Sequence, residues 1–191
     1  MRKFETLTSL ASRLDRDDID TDQIIPARFL RTTERTGLGE HLFEDWRYNA
    51  DGTPKPGFVL NEDGAPDKHI LIGGRNFGCG SSREHAVWSL VDFGVWVVIA
   101  QGFADIFKKN ALRNGLLPVT AGPADHAAVL EAAAAGKPLT VDLEKKTVSG
   151  DGLSFGFDVD PFARECLMAG VDNLEYILKH EDRITAFEAA R

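Results

Sequence analysis

Val95-Trp96-Val97-Val98-Ile99-Ala100 is an unbroken apolar run of strand length. A strand without polar alternation is buried on both faces, which puts it inside a parallel sheet covered by helices. Its neighbours fit that place. Residues 69–73 are strand-like, and 82–93 carry Ala86, Val87, Leu90 and Val91 at helical spacing, with Gly94 just past the end. After the run come a helix over 103–114 closed by Gly115, a strand over 116–119, and a helix over 124–135 closed by Gly136. Strand and helix alternating in this way predict an α/β chain with a mostly parallel core.

Further out the signals weaken. Residues 4–14 read as one strand leading into the acidic turn 15–22, and 39–46 as a short helix. Residues 44–68 form a long loop or insertion, rich in Gly, Pro and Asp from Arg47 onward. Long irregular connections serve a ligand or partner, or are disordered; a partner contact is the expectation here. Residues 139–143 and 153–159 read as a β-hairpin around Ser149-Gly-Asp-Gly152. Helices over 161–169 and 173–189 close one expected domain, 1–191.

Composition narrows the function. The chain has 191 residues, 43% apolar and 27% charged, as in an ordinary globular domain. A net charge of −8 argues against an extended nucleic-acid face. No apolar stretch is of membrane-span length and the N-terminus lacks a signal-peptide core, so the cytoplasm is the expected location. Cys79 and Cys166 are the only cysteines, too few for a disulfide framework or a metal knuckle.

The stretch linking the strand at 69–73 to the next helix is Asn76-Phe-Gly-Cys-Gly-Ser-Ser-Arg-Glu-His-Ala86. Two glycines free the backbone, and two hydroxyls and a guanidinium then open a helix. Helix starts favour negative charge and leave their first amides unpaired, so this is an anion loop. Arg83 adds a planar fork able to hold a carboxylate with two bonds. No Lys-Ser/Thr follows the glycines as in a P-loop, and no Gly stands two places after either serine as in a nucleophile elbow. Ser81-x-x-Glu84 also fits a capping box, whose plain meaning is that a helix begins. Cys79 with His85 or His69 as base would make a thiolate nucleophile; the preferred reading is a small residue filling a tight loop, with His85 structural. Asp20-Thr21-Asp22 is the second constellation. Asp22 precedes a segment bearing Arg28, Arg31 and Arg35, so carboxylate and guanidinium could meet at one rim. Lys108-Lys109 reads as a solvated helix face.

The string at 76–86 resembles the signature of the mobile swivel domain of the aconitase family, and the chain as a whole resembles the small-subunit branch of its 3-isopropylmalate dehydratases. The further matches are Asp-Thr-Asp-Gln-Ile-Ile-Pro at 20–26, Arg-Thr-Gly at 35–37, His-Leu-Phe-Glu-Asp-Trp-Arg at 41–47, Phe-Val-Leu-Asn at 58–61, Phe-Ala-Asp-Ile-Phe at 103–107 and Asn-Gly-Leu-Leu-Pro-Val at 114–119. Their order and spacing cover nearly the whole chain.

The resemblance implies an aconitase-type swivel domain, with a β-hairpin and peripheral helices around the parallel core. It implies a hydro-lyase working through a [4Fe–4S] cluster held by three cysteines. Two cysteines cannot supply that set, so the cluster is expected on a separate large subunit, with this chain binding no cofactor and inactive alone. By motif, Ser81 matches the catalytic base, a hydroxyl held largely deprotonated. Ser82 and Arg83 match contacts to the substrate carboxylate, and Asp22 the family's aspartate in the Asp-rich turn. Arg35 is the leading second arginine, with Arg31 competing. Leu30 and Arg31 fall in a loop that bears on the substrate tail: Leu30 suits an isopropyl group, Arg31 a third carboxylate. Interconversion of 2- and 3-isopropylmalate through 2-isopropylmaleate, in leucine biosynthesis, is the leading function. A related hydro-lyase acting on citramalate or homoaconitate remains open. So do a non-catalytic interaction subunit and a stand-alone phosphate-binding module.

Overall fold

The computed structural model describes residues 1–190; Arg191, the last residue of the expected domain, lies outside the described residues. Two four-stranded sheets carry the fold. The parallel sheet has the order β2-β3-β4-β5, from Ala11–Arg13 (β2), Ile70–Ile72 (β3), Val97–Ala100 (β4) and Leu117–Thr120 (β5). Every residue of β3 and β4 is buried, as their unbroken apolar sequences require. Pro118 lacks a backbone donor, and it sits in β5 at the sheet edge, where none is needed on the open side.

The other sheet is antiparallel, order β1-β6-β7-β8, from Leu7–Ser9 (β1), Leu139–Asp142 (β6), Thr147–Gly150 (β7) and Leu153–Gly156 (β8). Two expectations fail here. The single strand expected over 4–14 is two, β1 in one sheet and β2 in the other, with exposed Leu10 at the crossing. The hairpin expected between 139–143 and 153–159 is a three-stranded meander. The charged run Glu144-Lys145-Lys146 makes a tight turn, in which the Asp142 carboxylate accepts from Lys145 N–H at 2.9 Å, and this frees 147–150 to pair as β7.

The two faces of the parallel sheet carry separate cores. Leu71, Val98 and Ala100 face one core, with Glu84–Phe93 (α3), Asp105–Arg113 (α4) and the short helices Thr21–Ile24 (α1) and Glu44–Arg47 (α2). Ile70, Ile72, Val97, Ile99 and Val119 face the other, with Pro123–Ala134 (α5), Pro161–Ala169 (α6) and the antiparallel sheet. The period-two alternation along the strands sorts the side chains between these cores. The expected last helix is broken into Asn173–Leu178 (α7) and Glu181–Ala189 (α8), neither of which buries a residue.

The connection from 48 to 69 is ordered without a strand or α-helix of its own. Arg47, buried, donates through Nη1 to the carbonyls of Gly39, Glu40 and Leu42 and through Nε to Asn61 Oδ1 at 3.1 Å. Asn61 returns its amide to the carbonyls of Arg47 and Lys55. Leu60 and Ala65 are buried, so the segment contributes to the core it crosses.

Candidate active site

All four parallel strands point their carboxyl ends to one edge, where open α/β sheets bind ligands. The loops leaving β2 and β3 meet there and are laced together. Asp18 N–H donates to Arg75 O at 2.9 Å, Gly78 N–H to Ile19 O at 2.7 Å and Thr21 N–H to Cys79 O at 2.9 Å. Arg75 grips Asp17 through Nε and Nη2 at 2.9 and 2.7 Å, and these bonds hold the Asp17 carboxyl below its usual value. From behind, Phe77 is fully buried with its ring 5.3 Å from that of Phe107 on α4. Gly78, at φ +75°, lies so close to Phe107 that any Cβ would run into the ring.

The backbone at 81–83 is not yet helical: Ser81 lies in a bend and Arg83 is extended. Thr21, buried, donates its Oγ1 to the Ser81 carbonyl at 3.1 Å, holding this stretch against α1. The helix starts only at Glu84, with Arg83 as N-cap at φ −126° and no side chain capping the first turn. The capping box expected from Ser81 and Glu84 is therefore not formed. The Ser81 hydroxyl is thus not taken up as a helix cap. True capping boxes occur instead at Asp20–Gln23 and Asp172–Glu175.

Ser81 and Ser82 are exposed, and their hydroxyls have no partner among the described residues. Arg83 is about four-fifths buried and its Nη1 donates to Asp22 Oδ1. Asp22 thus meets a guanidinium, but that of Arg83 rather than of the three arginines that follow it in sequence. Arg28 is taken up by Asp45 at 2.6 Å. Arg31 is exposed, without a partner among the described residues, and the Arg35 guanidinium lies 5.4 Å from the centre of the Trp88 ring. Leu30 packs, partly buried, against the first core. His85 is structural as expected: its Nε2–H donates to Thr32 O at 2.8 Å and lays the 30–35 segment across the start of α3.

The thiolate reading of Cys79 finds no base, since His69 bonds Gly94 O and stacks on Trp96 while His85 is turned to Thr32. Burial, then Asp20 and Asp18, push the Cys79 thiol pKa up, away from a nucleophile's. Cys79 and Cys166 lie on separate elements, the loop after β3 and α6. Among the described residues no group of three or more His, Cys, Asp or Glu is placed to hold a metal ion, so the residues of this chain do not fit a three-cysteine cluster. No helix among them is long and apolar enough to cross a membrane. The roles of Thr21 and Thr32 were not legible in the sequence, because their partners, Ser81 and His85, lie 60 and 53 positions away.

Comparison with known proteins defines the class first. Residues 1–123 match the aconitase C-terminal domain, and residues 128–161 match the domain described as LeuD_N. A 3-isopropylmalate dehydratase structure from Methanocaldococcus jannaschii superposes with a TM-score of 0.69 at 30% identity, covering 96% of this chain and 99% of that one. Among curated relatives, the 3-isopropylmalate dehydratase small subunit of Anaeromyxobacter dehalogenans is 53% identical over the full length of both chains. That of Chloroflexus aurantiacus is 51% identical, over all of this chain and 96% of its own. The chain belongs to the family of 3-isopropylmalate dehydratase small subunits.

Proposed function

We propose that this chain is the small subunit of a cytoplasmic 3-isopropylmalate dehydratase, a hydro-lyase that interconverts 2- and 3-isopropylmalate through 2-isopropylmaleate in leucine biosynthesis. The observation that carries the reading is the Asp22–Arg83 pair beside two unpartnered serine hydroxyls, at the carboxyl edge of the parallel sheet. The carboxylate orients the guanidinium, and the guanidinium is left one edge with which to meet a substrate carboxylate. In the proposed division of labour Arg83 and Ser82 hold that carboxylate, with Asp22 at the same rim. Ser81 Oγ takes the proton from the carbon beside it as the bond to the hydroxyl on the neighbouring carbon breaks, and returns it as water adds back. The departing hydroxide is taken up by the Lewis acid that the large subunit's cluster would supply. Donors at the open start of α3 favour the negative charge this needs on Ser81. Leu30, Arg31 and Arg35 face the remainder of the substrate. The [4Fe–4S] cluster belongs to the large subunit, and residues 44–68 of this single domain, 1–191, contribute to the contact with it.

Reconstitution tests the reading. The chain alone is inactive; mixed with an anaerobically prepared large subunit, it gives turnover of 2-isopropylmalate. Ser81→Ala in the same complex lowers kcat by about 10²–10⁴, the worth of a positioned proton acceptor. Its melting temperature stays near that of the parent, because an exposed serine that caps nothing contributes within about 0.5 kcal/mol to stability. A variant complex with normal kcat removes Ser81 from the reaction.

A further inference from the structure

Residues 31–37, Arg-Thr-Thr-Glu-Arg-Thr-Gly, bulge from the surface between two anchors, Leu30 packed on the core and buried Leu38. Six of the seven are exposed, and the seventh, Thr32, is half-buried. Among the described residues one hydrogen bond ties this segment to the rest of the chain, His85 Nε2–H to Thr32 O at 2.8 Å. The other bond made there, Glu34 N–H to Thr32 Oγ1, is internal. His85 is itself well held. It is the second residue of α3, two after Arg83, and its ring lies 4.6 Å from that of Trp88. Trp88 Nε1–H donates to Asn114 Oδ1 at 2.9 Å, and Asn114 is bonded in turn to Asn110 O on α4. A chain of contacts thus runs from α4 through Trp88 and His85 to Thr32, and the Arg35 guanidinium lies over the same Trp88 ring.

We propose that His85 is a positioning residue for substrate preference: its bond to the Thr32 carbonyl holds Arg31 and Arg35 at a set distance from Arg83. This rests on the dehydratase reading above. Arg83 lies at the root of α3 whatever His85 does, because Asp22 and the Thr21–Ser81 bond fix it. Loss of the imidazole therefore removes the hydrogen bond that ties the segment down and loosens Arg31 and Arg35, the latter keeping its contact with Trp88, while leaving residues 81–83 in place. The common malate head would still bind, and discrimination between tails would fall.

Two measurements on His85→Ala and His85→Gln test this. Limited trypsin cleavage of the full chain after Arg31 and Arg35, mapped by mass spectrometry, reports the tether directly. One net hydrogen bond corresponds to about fivefold in the population of the open segment, so His85→Ala should be cut about fivefold faster after Arg31 and Arg35, with a melting temperature within about 4 °C of the parent. His85→Gln, whose amide can still donate to Thr32 O, should restore much of the protection. In the complex with the large subunit, His85→Ala should change the ratio of kcat/KM between 2-isopropylmalate and 2-methylmalate by threefold or more, mainly through KM. His85→Gln should return the ratio towards that of the parent. Unchanged cleavage in His85→Ala overturns the tether, and an equal fall of kcat/KM on both malates overturns the role in preference. If the parent complex turns over neither malate while the cleavage difference persists, the failure belongs to the assigned reaction and not to the tether.

Discussion

At the scale of single residues, the ion pair of Asp22 and Arg83 is the most informative contact. A pair whose carboxylate stays open to solvent, as that of Asp22 does, adds little to stability, about 0–1 kcal/mol. Its value is geometric, since it anchors Nη1 of a guanidinium that is about four-fifths buried, on a residue next to two free hydroxyls. A double-mutant cycle separates the two ways in which Asp22 could serve the site. If Asp22 works only by aiming Arg83, Asp22→Ala should lower kcat/KM by about 10–100-fold, the penalty of a misplaced binding group. Adding it to Arg83→Ala should then cost nothing further, because the two residues form one unit. Additive losses in steady-state kinetics would give Asp22 a substrate contact of its own. The types of both residues were legible in the sequence. Their pairing was not, because Arg28, Arg31 and Arg35 were nearer in the chain, and only the folding of the β2 and β3 loops against each other brings position 83 to position 22.

Among the elements, the loop from 73 to 83 decides whether the site exists. It follows β3, is laced to the loop after β2 by backbone bonds, and is nailed to α4 by the Phe77 and Phe107 rings. Gly78 is the tightest point. Gly78→Ala would put a side chain in a left-handed backbone, at about 1–2 kcal/mol, and drive it into Phe107 at about 1–3 kcal/mol more. For a chain of this size that is a fall in melting temperature of about 4–20 °C, with loss of reconstituted activity. A fall below about 2 °C would show that α4 yields and that the close approach is not a constraint. Helix bounds in this region were mostly legible, since apolar spacing and Gly94 mark α3 to within two residues. The start was displaced from Ser82 to Glu84 because the Thr21 hydroxyl holds the Ser81 carbonyl and Arg83 is extended, which together override the local capping signal. The antiparallel sheet was half legible, since β7 is short and follows a charged turn that looks like plain loop.

For the whole molecule, stability lies in the two cores and not in the last two helices. Both cores are assembled by residue 171, and α7 and α8 add no buried residue. They attach through the Tyr176 ring, edge-on to Phe162 at 5.0 Å, and its hydroxyl, 3.0 Å from Glu165. Deleting residues 173–191 should therefore lower the melting temperature by less than about 8 °C, at about 2–4 °C per kcal/mol, with a single cooperative transition. Loss of that transition in calorimetry would show that these helices belong to the core. The sequence by itself determined the parallel α/β core, the glycine-rich loop after β3 and the family, because apolar period, glycine placement and motif order are local and additive along the chain. The tertiary structure alone decided which side chains meet. The splitting of residues 4–14 between two sheets, the Asp22–Arg83 pair, the Thr21 grip on Ser81 and the His85 bond to Thr32 each join positions far apart in the chain. Such contacts are set by how the sheet faces and loops pack, a term that no local pattern carries.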